Sequence, residues 1–99
     1  MIYEIAEIEI AAGREDAFVA AVGEAAPLFR AAQGCRSMAL QRSHEHPGRF
    51  RLFVGWDTVD DHMVGFRESA AFGQWRALVG PHFAAPPKVE HSAVVLDLF

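Results

Sequence analysis

The sequence predicts an α+β fold with the element order β-α-β-β-α-β. Three observations predict it. The N-terminal segment alternates with a period of two. Apolar residues recur at helical spacing over 14–32 and again over 58–79. Between these lie two alternating segments joined by a turn containing Pro47-Gly48, the mark of an antiparallel hairpin.

Tyr3 to Ile10 reads as the first strand. Ile2, Glu4, Ala6, Ile8 and Ile10 fall on one side, and Tyr3, Ile5, Glu7 and Glu9 on the other; Gly13 ends it. Arg14 to Ala32 reads as a helix with Phe18, Ala21, Val22, Ala25, Leu28 and Phe29 on its apolar face. Pro27 lacks an N–H, so a kink or break is expected just before it, and Gly34 is placed to cap the helix. Cys35 to Arg42 and Arg49 to Trp56 are the hairpin strands, the second with Phe50, Leu52, Val54 and Trp56 on one face.

Thr58 caps the next helix, with Asp61 completing a capping-box pattern, and that helix is expected to reach Glu68. Ser69 caps a second helical piece carrying Phe72, Trp75, Leu78 and Val79, which Gly80-Pro81 stops. Ala84 to Pro87 is an extended connector. Val89 to Leu98 is expected as the last strand, apolar on both faces.

This order is the split βαβ, or ferredoxin-like, arrangement: a four-stranded antiparallel sheet with helices on one face. The whole chain, 1–99, reads as a single domain. Of its 99 residues 52% are hydrophobic, more than one small core readily absorbs. The first, third and last strands carry apolar residues on both sides. A second copy of the chain, packed sheet to sheet, is the simplest cover, so a homodimer is expected.

Formal net charge is −4 and the chain has one lysine, Lys88, which argues against a nucleic-acid partner. One cysteine, Cys35, rules out an intrachain disulfide. No apolar run approaches membrane-spanning length and the N-terminal segment does not read as a signal peptide, so a soluble, cytoplasmic protein with no membrane partner is expected. His44, Glu45 and His46 suggest a metal at first glance. They lie in a turn without a third ligand and read as a solvated loop, so no metal is expected.

The stretch from Trp56 to Phe83 is the most informative. It describes a helical wall with one histidine among apolar side chains and Gly65 opening a gap beside Phe66, the makings of an apolar pocket. With Trp56-Asp57-Thr58, His62, Phe66-Arg67-Glu68-Ser69, Phe72, Trp75 and Pro87-Lys88-Val89-Glu90-His91, the chain resembles the antibiotic biosynthesis monooxygenase domain family. The resemblance runs from Tyr3 to about Val95. It implies a dimeric α/β barrel and, by analogy with some members, oxygenation of polycyclic phenols or quinols by O2 without metal or flavin. Other members degrade haem.

The departures bear on chemistry. Cofactor-free members use an asparagine and a tyrosine near a tryptophan. This chain has no asparagine, and its one tyrosine is Tyr3. Haem-degrading members need an asparagine on the first strand, where this chain offers Glu4 and Glu7, and a late histidine, which falls near Trp75; haem degradation is not expected. Many members carry a glutamate on the third strand where Val54 stands.

Within this frame His62 is the candidate base. It lies between Val59 and Phe66 on the apolar side of its helix, and an unperturbed imidazole titrates near neutrality. It would remove a phenolic proton and leave an electron-rich anion for O2. Arg67 would steady that anion. Phe66, Phe72 and Trp75 would stack on an aromatic ligand, and His91 would line the pocket. The plain alternatives are a backbone-bonded histidine, a surface arginine pair and ordinary core packing. Two other functions remain open on the same scaffold: a non-catalytic dimer that binds small molecules, and an isomerase.

Overall fold

The computed structural model describes residues Met1–Phe99. In chain order the elements are β1 (Ile2–Glu9), α1 (Glu15–Arg30), β2 (Cys35–Arg42), β3 (Arg49–Trp56), a π-helical turn (Asp61–Phe66), α2 (Ala70–Val79), a 3-10 turn (Gly80–His82) and β4 (Lys88–Ser92). The four strands form one antiparallel sheet in the order β2-β3-β1-β4. The helices cover one face, as the ferredoxin-like order requires.

Alternation decides which side chains meet the helices. Glu4, Ala6 and Ile8 from β1, Ile10 just beyond its end, and Phe50, Leu52, Val54 and Trp56 from β3 are buried beneath them. Phe18, Val22, Ala25 and Phe29 descend from α1 at helical spacing to meet them. Phe18 packs edge-on against Phe50 with ring centroids 5.1 Å apart. Each of the valine, leucine, isoleucine and phenylalanine side chains among these stabilises the fold by about 1.5–3 kcal/mol through burial alone. The opposite face carries Tyr3, Ile5 and Phe53, all half-buried, beside ion pairs from Arg49 to Glu7 and Glu9 and from Arg51 to Glu7.

Four local expectations are corrected. Helix α1 runs through Pro27 to Arg30 without a break, because Pro27 sits in the last turn, where its ring disturbs only one preceding turn. The helix is capped by Ala31. Gly34, at φ +79°, instead turns the chain into β2. The segment after Thr58 is not a regular α-helix to Glu68: it widens into a π turn, in which the Arg67 N–H donates to the His62 carbonyl at 2.9 Å.

The last strand is also shorter than its composition suggests. β4 ends at Ser92, opposite Tyr3, and β1 has only Ile2 left beyond that rung. Val94, Val95, Leu96, Leu98 and Phe99 are exposed. No helix is long and apolar enough to cross a membrane.

Candidate active site

Thr58 starts the helical segment as expected, its Oγ1 accepting the Asp61 N–H at 3.1 Å. The Asp61 carboxylate does not close the capping box. It lies against Gly34, where any Cβ would collide with it. Ser69 stands at the N-cap of α2, and its hydroxyl donates back to the Phe66 carbonyl at 2.6 Å. These two local bonds mark the start and the end of the segment that contains the π turn.

The wider turn has a consequence for the side chains. Residues five apart point to different sides of an α-helix. In the π turn His62 and Arg67 both reach the same cavity. That cavity, of about 110 Å³, lies between the helices and the β1 side of the sheet. Glu4, Ala6, Ile8 and Leu52 form its floor, His62, Arg67, Phe72, Trp75 and Arg76 its helical wall, and Phe83, Pro87 and Val89 its rim.

Glu4 and His62, which border the cavity, belong to a row of polar groups. Trp56 Nε1–H donates to Glu4 Oε1 at 3.0 Å. The same oxygen lies 3.3 Å from His62 Nε2. His62 Nδ1 lies 2.8 Å from His91 Nε2. The sheet register explains the alignment: Glu4 is paired directly with His91 on one side and with Val54 on the other, and all three point to the helical face. The Trp56 indole stacks on the His62 ring at 5.3 Å and fixes its plane. No group of three or more His, Cys, Asp or Glu is gathered so that it could hold a metal ion.

Burial shapes the protonation. The Glu4 carboxyl is pushed up by desolvation, against the Trp56 hydrogen bond and the Arg67 charge, which pull it down. His62 is pushed down to about 4, first by burial and then by the charges of His91 and Arg67. His62 is therefore a neutral imidazole at pH 7, and the 3.3 Å contact is not a carboxylate–imidazolium ion pair. The expectation of a histidine free to titrate near neutrality is corrected. Both of its ring nitrogens also face protein groups rather than open space.

The other expected residues divide. Arg67, Phe72 and Trp75 border the cavity. Phe66 does not: it is buried among Phe29, Trp56 and Phe72, with centroids at 4.6, 5.6 and 5.9 Å. Gly65 is exposed and does not border the cavity. His91 does not border the cavity either. It reaches it only through His62. Sequence reasoning does not single out Glu4 or Arg76. The signal for Glu4 is a lone carboxylate on the apolar side of an alternating strand. Arg76 has none beyond its place one residue after Trp75. His44, Glu45 and His46 form an exposed loop. The Cys35 thiol is half-buried and pushed up by burial, which leaves it a weak nucleophile.

A sequence model of the antibiotic biosynthesis monooxygenase family matches residues 1–78. The chain belongs to the antibiotic biosynthesis monooxygenase family. A solved structure of a candidate antibiotic biosynthesis monooxygenase from Bordetella bronchiseptica superposes with a TM-score of 0.95 at 55% identity, over 96% of this chain and 97% of that one. The uncharacterized protein YczJ of Bacillus subtilis is 34% identical over 91 residues, 92% of this chain and 96% of its own length. SnoaB of Streptomyces nogalater, a cofactor-independent oxygenase solved as a point mutant, shares the fold at a TM-score of 0.83 with 11% identity, over 98% of this chain and 95% of that one. The antibiotic biosynthesis monooxygenase match stops at residue 78, so β4 and His91 lie beyond it.

Proposed function

We propose that this protein is a cofactor-independent monooxygenase that oxygenates a small phenol or quinol, working as a homodimer. The observation that carries the reading is Glu4. The residue is 6% exposed, and its carboxylate borders the cavity and begins a chain of proton carriers that leads out through His62 to His91. A buried carboxyl with a raised pKa is a competent proton acceptor for a phenol held in the same cavity.

The cavity volume narrows the substrate. At about 110 Å³ it is close to the ~150 Å³ that holds one benzene ring, and below the ~300–1,000 Å³ of sites for larger ligands. A single ring fits better than a polycyclic polyketide. Phe72 and Trp75 offer it aromatic walls.

Glu4 takes the hydroxyl proton, and Arg67, whose charge already acts on Glu4 and His62, stabilises the phenolate. His62 accepts at Nε2 as it releases at Nδ1 to His91, which an imidazole does by exchanging tautomers. His91 is half-buried on the edge strand and passes the proton to solvent. The phenolate gives one electron to O2. The aryloxyl radical and superoxide combine at a ring carbon, and the peroxide so formed loses water to leave a carbonyl. The water carries one oxygen atom, the ring hydrogen and one proton taken back from solvent in place of the one released, so phenol plus O2 yields quinone plus water.

The place of Glu4 also supports this reading. The carboxylate that many relatives carry on the third strand is Val54 here, and Glu4 sits on the same rung one strand over. The outer patch of Tyr3, Ile5 and Phe53, with the exposed apolar tail, supports the dimer.

Oxygen uptake with a panel of single-ring phenols and quinols, read with product mass, tests the function. A product with one added oxygen atom is expected. A product of unchanged mass would mark an isomerase, and tight binding without turnover a binding protein.

A further inference from the structure

The cavity has a second polar feature that the oxygenation chemistry does not use. Arg76, one helical turn after Phe72 in α2, borders it beside Arg67. Both guanidiniums rest on Phe72, with Cζ 5.4 Å (Arg67) and 5.9 Å (Arg76) from the ring centroid. A cation–π contact engages the flat face of a guanidinium and leaves its N–H edge free.

Neither arginine has a protein partner for that edge. The chain has eight arginines. Arg36, Arg49 and Arg51 hold carboxylates, and Arg14 and Arg42 hold backbone carbonyls. Arg30, Arg67 and Arg76 hold none, and two of these three meet at one cavity in a protein of net charge −4. Arg67 is the one whose charge reaches Glu4 and His62, at the reacting end. Arg76 is left for something else.

We propose that Arg76, with Arg67 behind it, forms a carboxylate subsite at the cavity mouth, so that the substrate is a hydroxylated aromatic acid rather than a neutral phenol. The hydroxyl points inward to Glu4 and the carboxylate outward to the N–H edge of Arg76. Such a fork matches a carboxylate with two parallel hydrogen bonds. The single-ring volume of the cavity places the two ends of one benzene ring against these two groups. This inference rests on the reading of the site given above, and it adds the charge class of the substrate.

Binding without O2 tests it. The quenching of tryptophan fluorescence by 4-hydroxybenzoate is compared with that by 4-hydroxybenzamide, using Trp75 in the cavity wall as reporter. The acid is expected to bind about 10- to 100-fold tighter than the amide. Arg76→Gln is expected to erase most of that preference, Arg76→Lys to keep part of it, and the distant Arg30→Gln to keep it all. Equal binding of acid and amide by the wild-type protein overturns the subsite whatever the variants do, and so does a preference that survives in Arg76→Gln. An acid that binds by this pattern but is never oxygenated leaves the subsite standing and removes the oxygenase reading. A neutral phenol oxygenated with no acid preference does the reverse.

Discussion

His62 and His91 are joined ring to ring, Nδ1 to Nε2 at 2.8 Å, so the helical layer and the edge strand meet through two imidazoles rather than through apolar packing alone. The link lies 29 residues apart in sequence and follows from the pairing of Glu4 with His91 across β1 and β4. Replacing His91 by phenylalanine keeps the bulk and removes the outlet for the proton. Ligand binding is expected to be kept, while turnover falls about 10-fold or more and added imidazole restores part of it. Steady-state kinetics with imidazole rescue check this.

The depressed pKa of His62 makes stability depend on pH in a defined window. In the unfolded chain His62 gains a proton as pH falls through its ordinary value of 6.5, while in the folded chain it stays neutral to about 4. Between these values the unfolded state binds more protons, so the fold loses stability as pH falls. The contribution is roughly 3 kcal/mol when fully developed. Glu4, with its pKa raised, acts in the opposite sense, gaining stability for the fold as pH falls. Comparing denaturation midpoints of the wild-type protein and His62→Gln from pH 7 to pH 4 isolates the histidine, and the variant is expected to lose less stability on acidification.

Trp56 does more than fill space. Its Nε1–H is the hydrogen-bond donor to the buried Glu4 carboxylate. Trp56→Phe is expected to cost about 2–3 kcal/mol or more, from the lost charge-assisted bond and the smaller ring. It is also expected to raise the Glu4 pKa further. Urea denaturation reads the first effect, and a carbon NMR titration of the Glu4 carboxyl reads the second.

Gly34 is required twice over, by φ +79° and by the Asp61 side chain packed where a Cβ would stand. Gly34→Ala is expected to destabilise by about 1–3 kcal/mol and to loosen the start of the π turn that carries His62. Thermal unfolding measures the first, and hydrogen exchange at 61–67 the second.

Phe53 lies at the centre of the outer apolar patch, paired with Ile5 across the sheet. Phe53→Asp places a charge there. Light scattering is expected to report a dimer for the wild-type protein and a shift toward monomer for the variant.

Much of the fold was legible because each strand and helix shows its own period. The alternation of β1 and β3, the Pro47-Gly48 turn and the face of α1 all lie where their patterns place them. The last strand misled because composition does not reveal register: Val94 to Leu98 look like strand, but β1 ends too soon to pair with them. The site was half legible. His62, Phe72 and Trp75 stood out by helical spacing. Arg67 reaches the same cavity because the turn is π rather than α, and 3.6-residue counting does not foresee that. Glu4 and His91 become partners only through strand order, which a local pattern does not carry.

The proton acceptor can be observed directly with a chromophoric single-ring phenol bound under anaerobic conditions, scanned by absorbance across pH. A phenolate band in the wild-type protein at a pH below the free phenol's own pKa, lost in Glu4→Gln, is the expected result. A phenol that stays neutral when bound, or that ionises equally in Glu4→Gln, would contradict a proton acceptor at Glu4.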